Sequence, residues 1–241
     1  IKNSKYTLYI TKNFLQSRYP SYGNTCICPN VNIERVDEKV LLDRIKKIEN
    51  INNMNEIKFG LIGSLDVDYK GHETVIKAFA LIKDRIPKFR VEFLGGGNPS
   101  RWIKLSEKCG VIQNVNFIGT LPSGNAVYEW LDSIDISLQP SNAEAQGRSI
   151  IEAMSRGCPV IASKVGGIVE LIDSRLLIKP KDYIGLSNKI VELLNNKDIL
   201  VEQAIRNFEE SKLFYKSNID KVREEFFLKF KNHVDKEKAL I

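Results

Sequence analysis

Asp135-Ile-Ser-Leu-Gln139, Pro140-Ser-Asn-Ala143, Glu144-Ala-Gln-Gly-Arg-Ser-Ile-Ile-Glu152, Ala153-Met-Ser-Arg156, Gly157-Cys158 and Pro159-Val-Ile-Ala-Ser163 run without a break through the middle of the chain. The first five residues are short and apolar enough for a strand. Pro140 to Ala143 reads as a loop. Arg148 to Arg156 reads as a helix, with Gly157 placed to stop it. Pro159 to Ser163 is a second buried-type strand. The unit is therefore strand–loop–helix–strand, with an acidic loop at the first strand's carboxyl end. In open α/β sheets that end is where ligands bind.

Seven residues separate Glu144 from Glu152. Glu144 falls in the loop before the helix and Glu152 about one turn inside it. The unpaired N–H groups of the helix start lie between them. Such groups attract phosphate, and carboxylates accept hydrogen bonds from sugar hydroxyls. A ligand with phosphates between two polyhydroxy rings, a nucleotide sugar, suits all three. The bland alternative is two solvated glutamates, the usual state of that residue. The pair alone does not decide between them.

Outward from this unit the chain alternates. Strand-like runs at Ile57–Ile62, Arg90–Leu94, Val115–Ile118, Ile134–Leu138 and Val160–Ala162 are separated by helical patterns at Lys70–Arg85, Asn125–Leu131 and Arg148–Arg156. Asp182–Leu194 closes the series as another helix. Alternating strand and helix predicts an α/β fold: a Rossmann-like parallel sheet with right-handed crossovers, flanked by helices.

With its neighbours the central segment resembles the retaining glycosyltransferases of group 1, the GT-B enzymes built from two Rossmann-like domains and carrying a Glu, seven residues, Glu signature. Phe59-Gly-Leu-Ile-Gly-Ser64 with Tyr69-Lys-Gly-His-Glu73 looks like the opening strand and its phosphate-contacting lysine. Arg90-Val-Glu-Phe-Leu-Gly-Gly-Gly97 looks like the next strand and glycine turn. Val115-Asn-Phe-Ile-Gly119 and Leu121-Pro-Ser123 look like the strand and loop beside the base. Gly157-Cys-Pro-Val-Ile-Ala162 and Gly166-Gly-Ile-Val-Glu170 complete the order. The resemblance covers roughly Ile57 to Leu193.

The resemblance implies roles. Glu152 would hydrogen-bond the ribose, Glu144 the hydroxyls of the transferred sugar, and Lys70 the diphosphate, whose growing charge it would stabilise. Lys70 and Glu144 are thus the catalytic candidates. Gly147, Arg148 and Ser149 would offer backbone N–H groups, Ser64 and Leu121 would line the donor site, and electrostatic preorganisation would be the main device. Ser64 stands where the family usually has Arg, so Lys70 alone remains of the diphosphate pair, and Arg148 is the candidate replacement. The family implies no cofactor and no metal, a nucleotide-sugar donor, a glycan or lipid-linked acceptor, peripheral contact with a membrane, and a cytoplasmic location.

It also implies a domain plan. Tyr6–Ile10 and Thr25–Pro29 read as strands and Thr11–Arg18 as a short helix. Residues 1–33 then resemble the last strand–helix–strand of an amino-terminal domain, with Pro29-Asn-Val-Asn32 at the domain junction. Residues 34–56 are a linker with a helix over Val36–Ile48 and the polar stretch Asn50–Asn55. Residues 57–195 form the nucleotide-sugar domain. Residues 196–241 form helices, the last expected to cross back onto the first domain, with Phe226, Phe227 and Phe230 at turn spacing. An initial Ile rather than Met raises the expectation of a fragment.

Composition bounds the alternatives. The chain has 241 residues, 43% hydrophobic and 27% charged, an ordinary globular balance. No apolar run approaches the ~20 residues that span a bilayer, and no signal-peptide core follows Ile1-Lys-Asn-Ser-Lys5. The net charge is +6, but the lysines are dispersed and no zinc finger or RNP motif is present, so nucleic acid is not an expected partner. Cys26, Cys28, Cys109 and Cys158 lack a second ligand pair at zinc spacing and read as reduced thiols.

Several motifs compete for attention. Asp66-Val-Asp68 spells a metal-binding pattern of the other large glycosyltransferase architecture, without further carboxylates to complete a cage. Gly95-Gly-Gly-Asn-Pro-Ser100 lacks the last residue of the dinucleotide fingerprint and the ribose-binding acid beyond it. His72 reads as a helix-start residue and His233 as an exposed one. Ser149 has no hydrolase partners. A nucleotide-sugar-binding module without turnover is the second functional reading. An epimerase or phosphorylase-like enzyme is the third.

Overall fold

The computed structural model describes residues 1–238, apart from the side chain of Asn52. In chain order the elements are β1 (Tyr6–Tyr9), α1 (Phe14–Arg18), β2 (Asn24–Ile27), α2 (Glu38–Glu49), β3 (Ile57–Ile62), α3 (His72–Ile82), β4 (Phe89–Leu94), α4 (Ser100–Lys108), β5 (Val115–Gly119), α5 (Asn125–Ser133), β6 (Ile136–Gln139), α6 (Arg148–Ser155), β7 (Val160–Ser163), β8 (Leu177–Ile178), α7 (Tyr183–Leu194), α8 (Lys197–Ser211) and α9 (Lys216–Lys238).

Six strands form one parallel sheet in the order β5-β4-β3-β6-β7-β8. Counted from β3, this is the 3-2-1-4-5-6 order of a Rossmann-like sheet, in which strand order reverses between the first and fourth members. Here the reversal lies between β3 and β6, which pair through Phe59 with Ile136 and Gly60 with Ser137. The loops that carry Lys70 and Glu144 leave those two strands.

The sheet is covered on both faces, as a parallel sheet requires. Phe59, Leu61, Phe93, Ile136, Leu138, Val160 and Ile161 are almost wholly buried, as are Val75, Phe79 and Ile82 of α3 and Ile150, Ile151 and Met154 of α6. Each such side chain contributes roughly 1.5–3 kcal/mol by leaving water.

The polar helix α2 is attached by cations. Arg44 is buried and donates to the carbonyls of Leu131 at 2.7 Å, Ile134 at 2.5 Å and Arg156 at 3.2 Å. Lys47 donates to Asp132, Ser133 and Ile134 carbonyls and pairs with buried Asp135 at 2.9 Å. These are carbonyls at the end of α5 and just beyond it, with that of Arg156 at the end of α6, places where a cation also suits the helix dipole. Nothing in the sequence marked Arg44 for burial.

β1 and β2 form a separate two-stranded parallel sheet. The last helix, α9, lies on it: Tyr6 meets Phe226 and Phe230 edge-on at 5.7 and 5.3 Å, and Lys5 pairs with Glu237. Phe227 faces outward, about half exposed. His233 is not freely exposed as expected; its ring lies 5.4 Å from that of Tyr6. Other departures are local. The helix expected from Lys70 begins at His72, because Gly71 adopts φ +88°, and ends at Ile82. Asn50–Asn55 contains a 3-10 turn at Ile51–Asn53 with Ile51 buried. The two-residue strand β8 carries no periodic signal and was not foreseen.

Candidate donor site at the carboxyl edge of the sheet

Lys70 lies at the end of the loop after β3. Its aliphatic stem rests on Gly63, where a Cβ would stand 2.8 Å from Lys70 Cγ. The next residue, Gly71, has left-handed geometry, and a Cβ there would overlap the Pro140 carbonyl. Only glycine satisfies both demands at low cost. The Asn142 N–H donates to the Tyr69 carbonyl at 2.7 Å, so the β3 and β6 loops are stitched together. Lys70 Nζ then reaches Glu144 Oε2 at 2.7 Å, with the two side chains 20% and 16% exposed.

A buried polar chain supports the β6 loop from below. Gln139 Nε2 donates to Ser141 Oγ at 2.8 Å, Ser149 Oγ donates to Gln139 Oε1 at 3.1 Å, and Ser163 Oγ donates to the Ser141 carbonyl. Gln139, Ser141 and Ser163 are buried. Satisfied polar networks of this kind fix a single loop geometry. Ser149 thus acts through its hydroxyl on the loop, beyond the backbone role expected of it.

Gly147 caps α6 with φ +80°. Among the described residues, no protein acceptor takes the N–H groups of Gly147, Arg148 or Ser149. Arg148, at the first helical position, is exposed. One turn on, Glu152 is half-buried, and its carboxylate has no hydrogen-bond partner among the described residues. Burial raises its pKa, and the Arg148 charge opposes the rise. Tyr128 of α5 stands within reach of that charge: its own pKa is raised by burial and then by Glu152.

Of the other expected site residues, Ser64 is exposed and its Oγ accepts the Asp66 N–H at 3.3 Å. Leu121 is half-buried just after β5. The structure brings Lys70 and Glu144 into contact; neither Ser64 nor Arg148 hydrogen-bonds to either of them.

The competing motifs have other uses here. Asp66 accepts the Asn98 N–H at 2.8 Å and Asp68 pairs with Arg101. Among the described residues, no three His, Cys, Asp or Glu side chains gather as a cage. His72 opens α3 as read, fully buried between Phe93 and Trp102 at ring distances of 5.0 and 5.1 Å. Burial, with the Arg101 charge second, lowers its pKa to about 4, so it stays neutral at physiological pH.

Two residues that sequence reading passed over hold the site loop from outside. Gln146 is buried, donating through Nε2 to the Ile10 carbonyl at 2.8 Å and accepting the Asn30 N–H through Oε1 at 3.1 Å. Glu170 accepts from the N–H groups of Lys12 at 2.6 Å, Asn13 at 2.9 Å and Phe14 at 2.6 Å. Only the Gly166-Gly167 pair before Glu170 hinted at close packing here, and nothing in the sequence marked Gln146.

The sequence profile of the family described as "Glycosyl transferases group 1" matches residues 43–211. Protein CapJ of Staphylococcus aureus is 30% identical over 235 residues, covering 98% of this chain and 58% of CapJ. The chain therefore spans little more than half of that relative. Sucrose-phosphate synthase from Thermosynechococcus elongatus superposes with a TM-score of 0.76 at 22% identity, over 96% of this chain and 60% of the other. Anabaena HepE in complex with UDP-glucose gives 0.72 at 18% identity, over 95% and 64%. At these identities the two structures establish a shared fold. Among the described residues, no helix is long and apolar enough to cross a membrane.

Proposed function

The chain belongs to the group 1 glycosyltransferases, with the fold of the GT-B class, and from that premise we propose that it is the donor-binding, carboxy-terminal part of a retaining enzyme. The reaction moves a hexosyl group from a nucleoside diphosphate sugar to a glycan or lipid-linked acceptor, in the service of polysaccharide synthesis. The observation that carries this reading is the contact of Lys70 with Glu144 across the β3/β6 switch point, beside a helix start whose N–H groups are unclaimed.

Each residue then has a task. Glu152, with no hydrogen-bond partner among the described residues, accepts from the ribose hydroxyls. The N–H groups of Gly147, Arg148 and Ser149 face the donor's polar centre, where the α6 dipole favours negative charge. Lys70 binds the diphosphate and stabilises the charge that arrives on its β-phosphate as the bond to the sugar breaks. Glu144 holds sugar hydroxyls and keeps Lys70 aimed. Leu121 lines the base, Ser64 widens the phosphate end where the family carries Arg, and Arg148 supplies the missing positive charge. The chemistry runs on the protein's own charges, without a metal.

The β1–β2 pair and α9 suggest where the acceptor half belongs. A two-stranded parallel sheet is not a self-sufficient unit, and residues 1–33 form the end of an amino-terminal domain that α9 helps to hold. Peripheral attachment at the cytoplasmic face of a membrane fits a lipid-linked acceptor. A thermal-shift panel of UDP, GDP, ADP and their glucose conjugates tests the reading. Nucleoside diphosphates should raise Tm with concentration, by ~2.7 kcal/mol of stability at a hundredfold excess over Kd. A flat response to all of them overturns it.

A further inference from the structure

We infer that Gln146 and Glu170 are positioning residues, a two-point latch through which the Ile10–Phe14 turn sets the position of the sugar-reading carboxylate Glu144. The inference rests on the donor-site reading above.

Three consecutive residues of the site loop are held, Glu144 and Ala145 against the Gly166-Gly167 pair and Gln146 against Ile10 and Asn30. The Glu144 carbonyl lies against Gly166, where a Cβ would overlap it and would stand 3.6 Å from Phe14 Cε1. The Ala145 carbonyl accepts the Gly167 N–H at 3.1 Å, and a Cβ on Gly167 would stand 2.8 Å from Thr11 Cγ2. The Gln146 amide spans from the Ile10 carbonyl to the Asn30 N–H. The diglycine is thus a shim between the loop and the turn. Glu170, three residues beyond it, fastens the turn through three N–H groups at once. Hydrogen bonds to a carboxylate are roughly twice as strong as neutral ones, so Glu170 is the stiff member.

Beyond the diglycine, packing does not fill the junction. An apolar cavity of about 240 Å³ lies at the same junction, bordered by Gln146, Gly167 and Glu170 as well as Ile27, Met154 and Phe214. With space on that side, the polar contacts fix the distance between turn and loop. Glu144 has its carboxylate on Lys70 and its carbonyl against Gly166, between the two latch residues' segments, so displacement of the turn is transmitted through the diglycine to the sugar end of the site. Glu152, in the body of α6, does not share these contacts.

Glu170→Gln and Gln146→Met nearly preserve volume. The probes are UDP and UDP-glucose, titrated against the whole chain with Glu144→Ala as reference, together with hydrogen exchange of the ligand-free chain. Both latch variants should weaken UDP-glucose roughly five-fold, the usual net worth of a hydrogen bond, while leaving UDP within two-fold. Exchange should rise in residues 143–149 as well as 10–17, and not in β3 or β4. If Glu144→Ala weakens UDP-glucose but the latch variants do not, and exchange at 143–149 is unchanged, the latch is refuted and the donor reading stands. If UDP-glucose affinity is absent or indifferent to Glu144→Ala, the donor reading fails for this probe and exchange decides. A rise confined to 10–17 reduces Glu170 to a cap on α1 and overturns the inference.

Discussion

Lys70 Nζ stands 2.7 Å from Glu144 Oε2, so the cation expected at the diphosphate and the carboxylate expected at the sugar neutralise each other across the sheet's switch point. Partly buried charges are costly unless paired. The contact keeps both charges in place. On the proposed reading, an incoming diphosphate would share a lysine that is already aimed.

Removing either partner should therefore have unequal effects. Lys70→Ala should weaken nucleoside diphosphates more than monophosphates, and the deficit should shrink with salt, by less than at a fully exposed pair because Lys70 is partly buried. Glu144→Ala should leave nucleoside diphosphates nearly untouched and weaken only the full sugar nucleotide. Titration calorimetry at two salt concentrations distinguishes them; equal loss of both ligands on Glu144→Ala would mean that this residue shapes the loop and does not read the sugar.

Glu152 links stability to pH. Its folded pKa is raised, chiefly by burial, so the native state holds the proton more tightly than the unfolded chain does. Its contribution to stability is therefore lost as pH rises from the unfolded carboxylate pKa through the raised folded one, and regained as pH falls. Glu152→Gln should be neutral or stabilising at pH 7, by a few degrees of Tm at most, while nucleotide affinity falls. Melting curves across mildly acidic pH would show it; a large loss of stability at pH 7 would mean that the carboxylate has a structural partner.

Ser64 and Arg148 test the compensation directly. Ser64→Arg would add a second cation at an exposed position and, on the proposed reading, should tighten diphosphate binding severalfold, an effect on the order of 1 kcal/mol. Arg148→Ala should weaken it. Gain from Ser64→Arg with no loss from Arg148→Ala would leave Arg148 as a surface charge.

The glycine between Lys70 and His72 should be intolerant. Gly71→Ala meets both a left-handed backbone and the Pro140 carbonyl, and strain of this kind costs on the order of 1–3 kcal/mol. Chemical denaturation should show that loss, and diphosphate binding should fall with it because Lys70 is displaced. Unchanged stability would mean that the β3 and β6 loops are not held as tightly as the contacts imply.

How much of this was legible before the structure depended on range. β3 and β7 could be read because buried strands of a parallel sheet are short apolar runs, and Gly157 marked the end of α6. The strand–loop–helix spacing placed Glu144 and Glu152 at the sheet's carboxyl edge, and the family resemblance singled out Lys70. Strand order was not legible, since it depends on how crossovers pack. Nor was the direct contact of Lys70 with Glu144, 74 residues apart in sequence. Gln146, Glu170 and Arg44 were missed for one reason: each is a polar residue whose partners are backbone groups of distant segments, and backbone groups leave no signature in a sequence.

The central claim is that one carboxylate reads the nucleotide and the other the sugar. Calorimetric titration of the wild-type chain, Glu152→Ala and Glu144→Ala with a nucleoside diphosphate and with its sugar conjugate measures it most directly. The account predicts that Glu152→Ala weakens both ligands by ~1–3 kcal/mol and Glu144→Ala only the conjugate. Nucleoside diphosphate affinity unchanged in Glu152→Ala would contradict it.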